Sequence, residues 1–156
     1  DCFHPLRRMK KKIRGKWCDF NKRLIPGYVF VESDRIEDFC MEAMNIPYFL
    51  KMLGVDEDKD GFYFHPLNDK ETEWLRKLTA VGSVQGAEKQ KHLVELSQVG
   101  FDENDEIYIV SGPLKDLQGQ VKKIHLHRRI AEVEMEFLGR KTIFHLGIEL
   151  LEKKGG

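Results

Sequence analysis

Residues 132–137 read Glu-Val-Glu-Met-Glu-Phe, an unbroken alternation of acidic and apolar side chains. Only a strand with one wet face and one dry face puts every second residue on the same side. Val133, Met135 and Phe137 therefore turn to a core, and Glu132, Glu134 and Glu136 to water. Strand-like runs surround this one, over 106–110, 120–126, 130–138 and 141–146, with glycines or basic pairs between them and no helical periodicity after Asp102. Such short strands cannot protect an open sheet's edges, which predicts a small closed all-β barrel over residues 102–156.

The first half has another rhythm. Pro26-Gly27-Tyr28-Val29-Phe30-Val31-Glu32 is a turn followed by a β-branched and aromatic run, the pattern of a buried strand. A helix follows. Ser33 or Asp34 is placed to cap it, Glu37 supports its first turn, Ile36, Phe39, Cys40, Ala43 and Met44 recur at helical spacing, and Pro47 ends it after Asn45. A short apolar stretch over 48–55 leads through a Gly-Asp turn region to the small strand Phe62-Tyr63-Phe64. Asn68 with Glu71 three residues on then forms a capping box for a second helix that carries Trp74, Leu75 and Leu78 on one side. Strand, helix, strand, helix is an α+β unit. Residues 80–100 are small and polar and contain no aromatic, which marks a joint, although Leu93-Val94-Glu95-Leu96 has the composition of a short docked strand. The expected organisation is an N-terminal α+β domain over 1–80, a linker over 81–101 and the barrel over 102–156.

A chain of 156 residues with 41% hydrophobic content buries a real core. Lys+Arg and Asp+Glu both total 26, so any preference for a polyanion has to be local. No apolar run approaches the roughly 18 to 20 residues that span a bilayer, and the first residues lack the pattern of a signal peptide, which predicts a cytoplasmic protein. Cys2, Cys18 and Cys40 are widely spaced, without the close pairs of structural zinc sites, and His4, His65 and His92 stand in no spacing that would activate a thiol. The expectation is a binding protein rather than an enzyme, with no cofactor and no metal.

Two stretches carry a resemblance. The first is Asp105-Glu106-Ile107-Tyr108-Ile109-Val110-Ser111-Gly112-Pro113-Leu114, with Gly119-Gln120-Val121 and Phe137-Leu138-Gly139-Arg140 after it; it resembles the KOW motif of NusG-type factors. Gly112 fits a tight turn after the first strand, and Gly119 a close return of the loop into the second. The second stretch, Pro5, the basic residues around Gly15 and then 26–31, is similar to the NGN domain of the same family. The resemblance implies an NGN-like α/β sandwich joined to an SH3-like KOW barrel, in a transcription elongation or antitermination factor. The unusually basic 7–16 segment and the ending Gly147-Ile148-Glu149-Leu150-Leu151 resemble a specialised paralogue of the LoaP kind. The family's NGN domain opens with a strand and a helix that would precede Asp1, which reads as an N-terminal truncation.

Arg7, Arg8, Lys10, Lys11, Lys12, Arg14, Lys16, Lys22 and Arg23 meet a single acid, Asp19, within 7–23. Like charges this dense repel unless an anion or acids from elsewhere neutralise them. A solvated hairpin is one reading; a phosphate-binding loop, with Trp17 or Phe20 stacking on bases or acting as a buried anchor, is the other. With the resemblance in view, Arg7, Arg8, Lys10, Lys11, Lys12, Arg14, Lys16, Trp17, Lys22 and Arg23 are the expected RNA site, with a leader hairpin as the ligand. A second basic spot, Lys122, Lys123, His125, His127, Arg128, Arg129, Arg140 and Lys141, is the candidate contact for RNA or a ribosomal protein, limited by the neighbouring glutamates. The resemblance also implies docking on the RNA polymerase clamp through Tyr28, Phe30, Phe49, Met52 and Leu53, by a monomer. The rival reading is a ribosomal or ribosome-associated KOW protein that scaffolds RNA.

Overall fold

The computed structural model describes residues 1–48, 52–53, 55–59, 61–64, 66–80 and 92–152. Chain order is β1 (Cys2–Phe3), β2 (Leu6–Ile13), β3 (Lys16–Arg23), β4 (Phe30–Val31), α1 (Ile36–Met44), β5 (Val55–Asp58), β6 (Gly61–Phe64), α2 (Asp69–Ala80) and β7 (Leu93–Val94). The second half contains β8 (Ser97–Phe101), β9 (Ile107–Ser111), β10 (Val121–His125), β11 (Ile130–Phe137) and β12 (Arg140–Leu150). The fold is α+β, with α1 and α2 preceding the sheet-rich C-terminal part.

The basic 7–16 segment is not a loop. Leu6–Ile13 and Lys16–Arg23 form a regular hairpin in which Lys10 pairs Asp19 and Lys12 pairs Trp17, closed by Arg14 and Gly15, both at positive φ. The strand expected over 26–32 is shorter and more exposed than its composition implied. Only Phe30–Val31 pairs, with Cys2–Phe3, and Val29 is 58% exposed. A two-residue partner leaves nothing to cover the rest of the run.

Helix α1 is capped one residue after Asp34 and two after Ser33, the two expected caps. Arg35 is its N-cap and makes no side-chain cap bond; the Ser33 hydroxyl instead accepts the Arg35 N–H at 3.0 Å. At α2 the capping box forms as read: Glu71 N–H donates to Asn68 Oδ1 at 2.8 Å, and Asn68 N–H to a Glu71 carboxylate oxygen at 3.1 Å. The other Glu71 oxygen accepts the Leu138 N–H from the β11–β12 turn at 2.6 Å. A local helix signal thus doubles as a long-range tie.

Residues 81–101, the expected linker, include two strands. β7 pairs in parallel with β2, and two residues later β8 pairs in parallel with β12 and antiparallel with β9. The second sheet runs β10-β11-β12-β8-β9 and curls into a half-barrel. Its end strands β9 and β10 are bridged by the 3-10 segment Pro113–Gln120, which drives Leu114 into the centre with no exposed surface. Val133, Met135 and Phe137 are buried, as the alternation requires. Gly112 adopts φ 96°, and a Cβ there would sit 2.6 Å from the Ser97 Cα. Gly119 has open space around it, so its expected close approach does not occur.

One core serves both halves: Leu24, Ile25, Leu75 and Leu78 join Val94, Val99, Leu114, Val133, Phe144 and Ile148. Trp74 packs 5.3 Å from Phe144 and its indole N–H donates to the Glu136 carbonyl at 3.2 Å. Because Glu71 is 4% exposed and its carboxylate accepts the Leu138 N–H, its removal takes away a long-range hydrogen bond as well as a cap. Glu71→Ala should lower stability by about 2–4 kcal/mol, read as a shifted urea midpoint at unchanged slope. A midpoint equal to the parent's would show that the tie carries no weight.

Candidate functional site

The hairpin's cations fall into two populations, set by what covers each. On β2, Arg7 and Met9 point inward, and Arg7 is 8% exposed, its guanidinium donating to the His145 carbonyl of β12. Burial lowers its pKa from the ordinary arginine value. Arg8 pairs with Glu95 at 3.1 Å. Lys10 bridges Asp19 at 2.9 Å and Glu149 of β12 at 3.2 Å. Desolvation pulls the Lys10 pKa down, but the hydrogen bonds and charges of Asp19 and Glu149 outweigh it and hold the pKa above the usual lysine value. Arg7, Arg8 and Lys10, expected as RNA contacts, are thus engaged by the protein itself. Arg7 is the clear correction, because a buried guanidinium committed to a carbonyl cannot reach a phosphate.

Lys11, Lys12, Arg14, Lys16, Lys22 and Arg23 are exposed, and none has an acidic partner within salt-bridge distance among the described residues. Trp17 is neither fully buried nor free. Its ring lies 4.8 Å from the Arg129 guanidinium of the β10–β11 turn and 6.0 Å from the Lys12 ammonium. That contact brings together the two basic stretches the sequence treats separately.

The second stretch itself divides. Lys122 pairs with Glu134 at 3.5 Å, and His125 with Glu132 at 2.7 Å, with His145 3.9 Å from the same carboxylate. The His125 hydrogen bond holds the Glu132 carboxyl below its usual pKa. Lys123 lies opposite Glu132 in the ladder. Arg140 and Lys141 are at the far end of β11, about 24 Å from Ile130 for a strand of that length. Arg129, which follows the 3-10 turn Leu126–Arg128, is the member of this stretch that packs on the hairpin, with His127 and Arg128 exposed on the turn before it.

Of the expected polymerase contacts, Phe49 lies outside the described residues. Tyr28 and Phe30 face the barrel, at 5.6 Å and 6.2 Å from the Phe137 ring. The Met52 sulfur lies 2.9 Å from the buried Cys40 thiol, which makes it a packing residue, and burial raises the Cys40 pKa. Leu53 is 52% exposed. Met44, expected on the apolar face of α1, is 55% exposed, and Met41, Ile46 and Tyr48, which the sequence reading missed, are exposed at the end of α1 and just after it. Met41 carried a signal, as an apolar residue off the face that buries Cys40 and Ala43; Ile46 and Tyr48 lie beyond the helix end at Met44 and carried none.

No family model matches the chain. The transcription termination/antitermination protein NusG of Pasteurella multocida is 23% identical over 149 residues, covering 96% of this chain and 74% of that protein. The NusG of Borreliella burgdorferi is 24% identical, covering 96% and 78%, and that of Thermus thermophilus 28% identical, covering 89% and 72%. The chain is similar to NusG proteins along most of its length. Similarity to these NusG proteins runs through both the hairpin half and the half-barrel half, so the two are matched in one order and in one chain. Among the described residues, no cluster of three or more His, Cys, Asp or Glu could hold a metal ion, and no helix is long and apolar enough to cross a membrane.

The chain has two tryptophans, so in a Trp74→Phe background Trp17 reports alone. Removing its cationic cover by Arg129→Gln should red-shift the emission and increase quenching by neutral acrylamide. Unchanged emission and quenching would mean that the hairpin and the turn are apart in solution.

Proposed function

We propose that this chain is a transcription termination/antitermination factor of the NusG type that docks on RNA polymerase and carries a structured leader RNA, promoting processive transcription through terminators. The domain division that goes with this reading is an NGN-like unit over 1–80 and a KOW unit over 102–156. The supporting observation is the exposure of Met41, Met44, Ile46 and Tyr48 over the end of α1 and the residues after it, with Tyr48 97% exposed and Leu53 exposed a few residues on. Large apolar side chains grouped at one helix end and left in water mark a protein contact more often than a solvated surface. They sit on the α+β half, where the resemblance puts the polymerase clamp contact.

The mechanism needs no covalent step. A factor that binds the elongating conformation of the polymerase more tightly than the paused one shifts the population toward elongation by that difference in affinity. Leader RNA held by Lys11, Lys12, Arg14 and Lys16 would raise the local concentration of the factor at the transcript's own polymerase. This basic hairpin is also what favours a specialised paralogue over the general factor. Ile107 and Tyr108, exposed on the edge strand β9, favour a second protein partner for the half-barrel, with a ribosomal protein as the candidate.

Met44 is 55% exposed, so a charge there leaves the fold intact while placing an unpaired carboxylate in the docking surface. Met44→Asp should weaken capture of RNA polymerase by at least ~10-fold, about 1.4 kcal/mol or more, and reduce terminator readthrough in parallel, with an unchanged melting temperature. Normal capture by the folded variant would place the polymerase contact elsewhere. Co-purification with ribosomal subunits in place of polymerase would instead favour the ribosomal reading.

A further inference from the structure

We infer that the hairpin tip and the barrel turn form one RNA-binding surface, Lys12, Arg14, Lys16 and Trp17 with Arg128 and Arg129, that is complete only while the two halves of the chain are docked. The inference rests on the reading that the chain binds RNA, and specifies what makes that site. Its starting point is Trp17. The indole is flanked by cations from two elements more than a hundred residues apart in sequence, the Arg129 guanidinium at 4.8 Å and the Lys12 ammonium at 6.0 Å. Both cations lie within about a Debye length of the ring, roughly 8 Å at physiological salt, so their positive fields add at the indole and favour an anion beside it.

The turn is built to hold its arginine there. Arg129 sits in the left-handed region at φ 55°, its Nη1 donates to the Leu126 carbonyl at 2.9 Å, and its own carbonyl accepts the Ile148 N–H at 3.0 Å. The hairpin is held from the other side by Lys10 on Glu149 and by Arg7 on the His145 carbonyl. These contacts consume the inner cations and leave the outer ones in a fixed arrangement. The acids that would neutralise the barrel's basic residues are taken locally, Glu134 by Lys122 and Glu132 by His125. Arg128 has no acidic partner among the described residues and is exposed.

Single-stranded or loop RNA fits this surface by its chemistry. Phosphates answer the clustered cations, and unstacked bases stack on indole and guanidinium planes, which an acidic peptide does not use. If RNA binds the docked arrangement better than the undocked one, docking must in turn tighten when RNA is bound, by the same factor.

The test is an anisotropy titration of the full chain with an RNA stem-loop at several salt concentrations. Lys12→Ala with Lys16→Ala should flatten the log-log salt slope by about 1.5, and Arg128→Ala, on the barrel, by about 0.8. Gly147→Val should weaken RNA binding several-fold although it removes no charge, because a side chain at 147 collides with the Arg8 carbonyl and lifts the hairpin from β12. Arg129→Gln, which creates no clash, covers the case in which Gly147→Val fails to fold, and should also weaken binding. Wild-type binding with unchanged affinity and slope in Arg128→Ala and Arg129→Gln would overturn the composite surface while the RNA reading stands. No RNA binding by the wild type would end the RNA reading itself. Displacement of the RNA by polyglutamate at equal charge concentration would also overturn the inference, in favour of an acidic protein partner.

Discussion

Leu93–Phe101 belongs to two sheets at once, and the rest of the structure depends on that splice. β7 adds in parallel to β2, and after only Glu95 and Leu96 the chain adds in parallel to β12 as β8. The three Cα steps from Val94 to Ser97 cannot span more than about 11 Å, so the edges of the two sheets are held close. At that distance the backbones of β2 and β12 come together, and position 147 must be glycine because a Cβ would overlap the Arg8 carbonyl and the Leu96 side chain. Ser97 fixes the next step. It is 1% exposed, its hydroxyl accepts the Leu114 N–H at 2.9 Å, and its Cα leaves no room for a side chain at Gly112. The strand that joins the sheets therefore also positions the segment that plugs the half-barrel.

The contacts that follow from the splice are of mixed character, which decides how the halves hold together. Aromatic packing of Trp74 on Phe144, and of Tyr28 and Phe30 on Phe137, supplies apolar area and therefore most of the attraction. Glu71 to Leu138, Trp74 to Glu136 and Arg7 to His145 add little net free energy while made, since each replaces a bond to water. Breaking Arg7 to His145 would strand the buried Arg7 guanidinium, whereas the more exposed Trp74 to Glu136 bond can be replaced by water. Such an interface is specific in register. It also places Tyr28 and Phe30, two residues with the composition of a polymerase contact, against the barrel.

What could be read in the sequence follows from the range of the interactions involved. The Glu132–Phe137 alternation and the Asn68–Glu71 capping box are encoded within a few residues, and both stand as read. β8 was hidden because Ser97-Gln98-Val99-Gly100-Phe101 has little β-branched density, and its strand character comes from partners on β9 and at the chain's far end on β12. The cap of α1 was misplaced because Ser33 spends its hydroxyl on the Arg35 N–H, one residue ahead of the helix. For the candidate site, charge was legible and its allocation was not. Alternation alone says that Arg7 and Met9 share a face with Lys11, but which part of that face is covered depends on β12. The juxtaposition of Trp17 and Arg129 has no local signal at all.

That allocation explains how one strand can be both a structural element and a binding element. An arginine or lysine facing β12 loses hydration and must regain it from carbonyls and carboxylates, which Arg7 finds at His145 and Lys10 at Asp19 and Glu149. Once those acids are used, they cannot also neutralise the tip. Lys12, Arg14 and Lys16 keep their field because the inner cations have already taken the acids in reach. The positive potential at the tip is thus a consequence of how the hairpin is fastened to the half-barrel. The overall formal charge of zero conceals it, since that sum counts the fastened and the exposed cations alike.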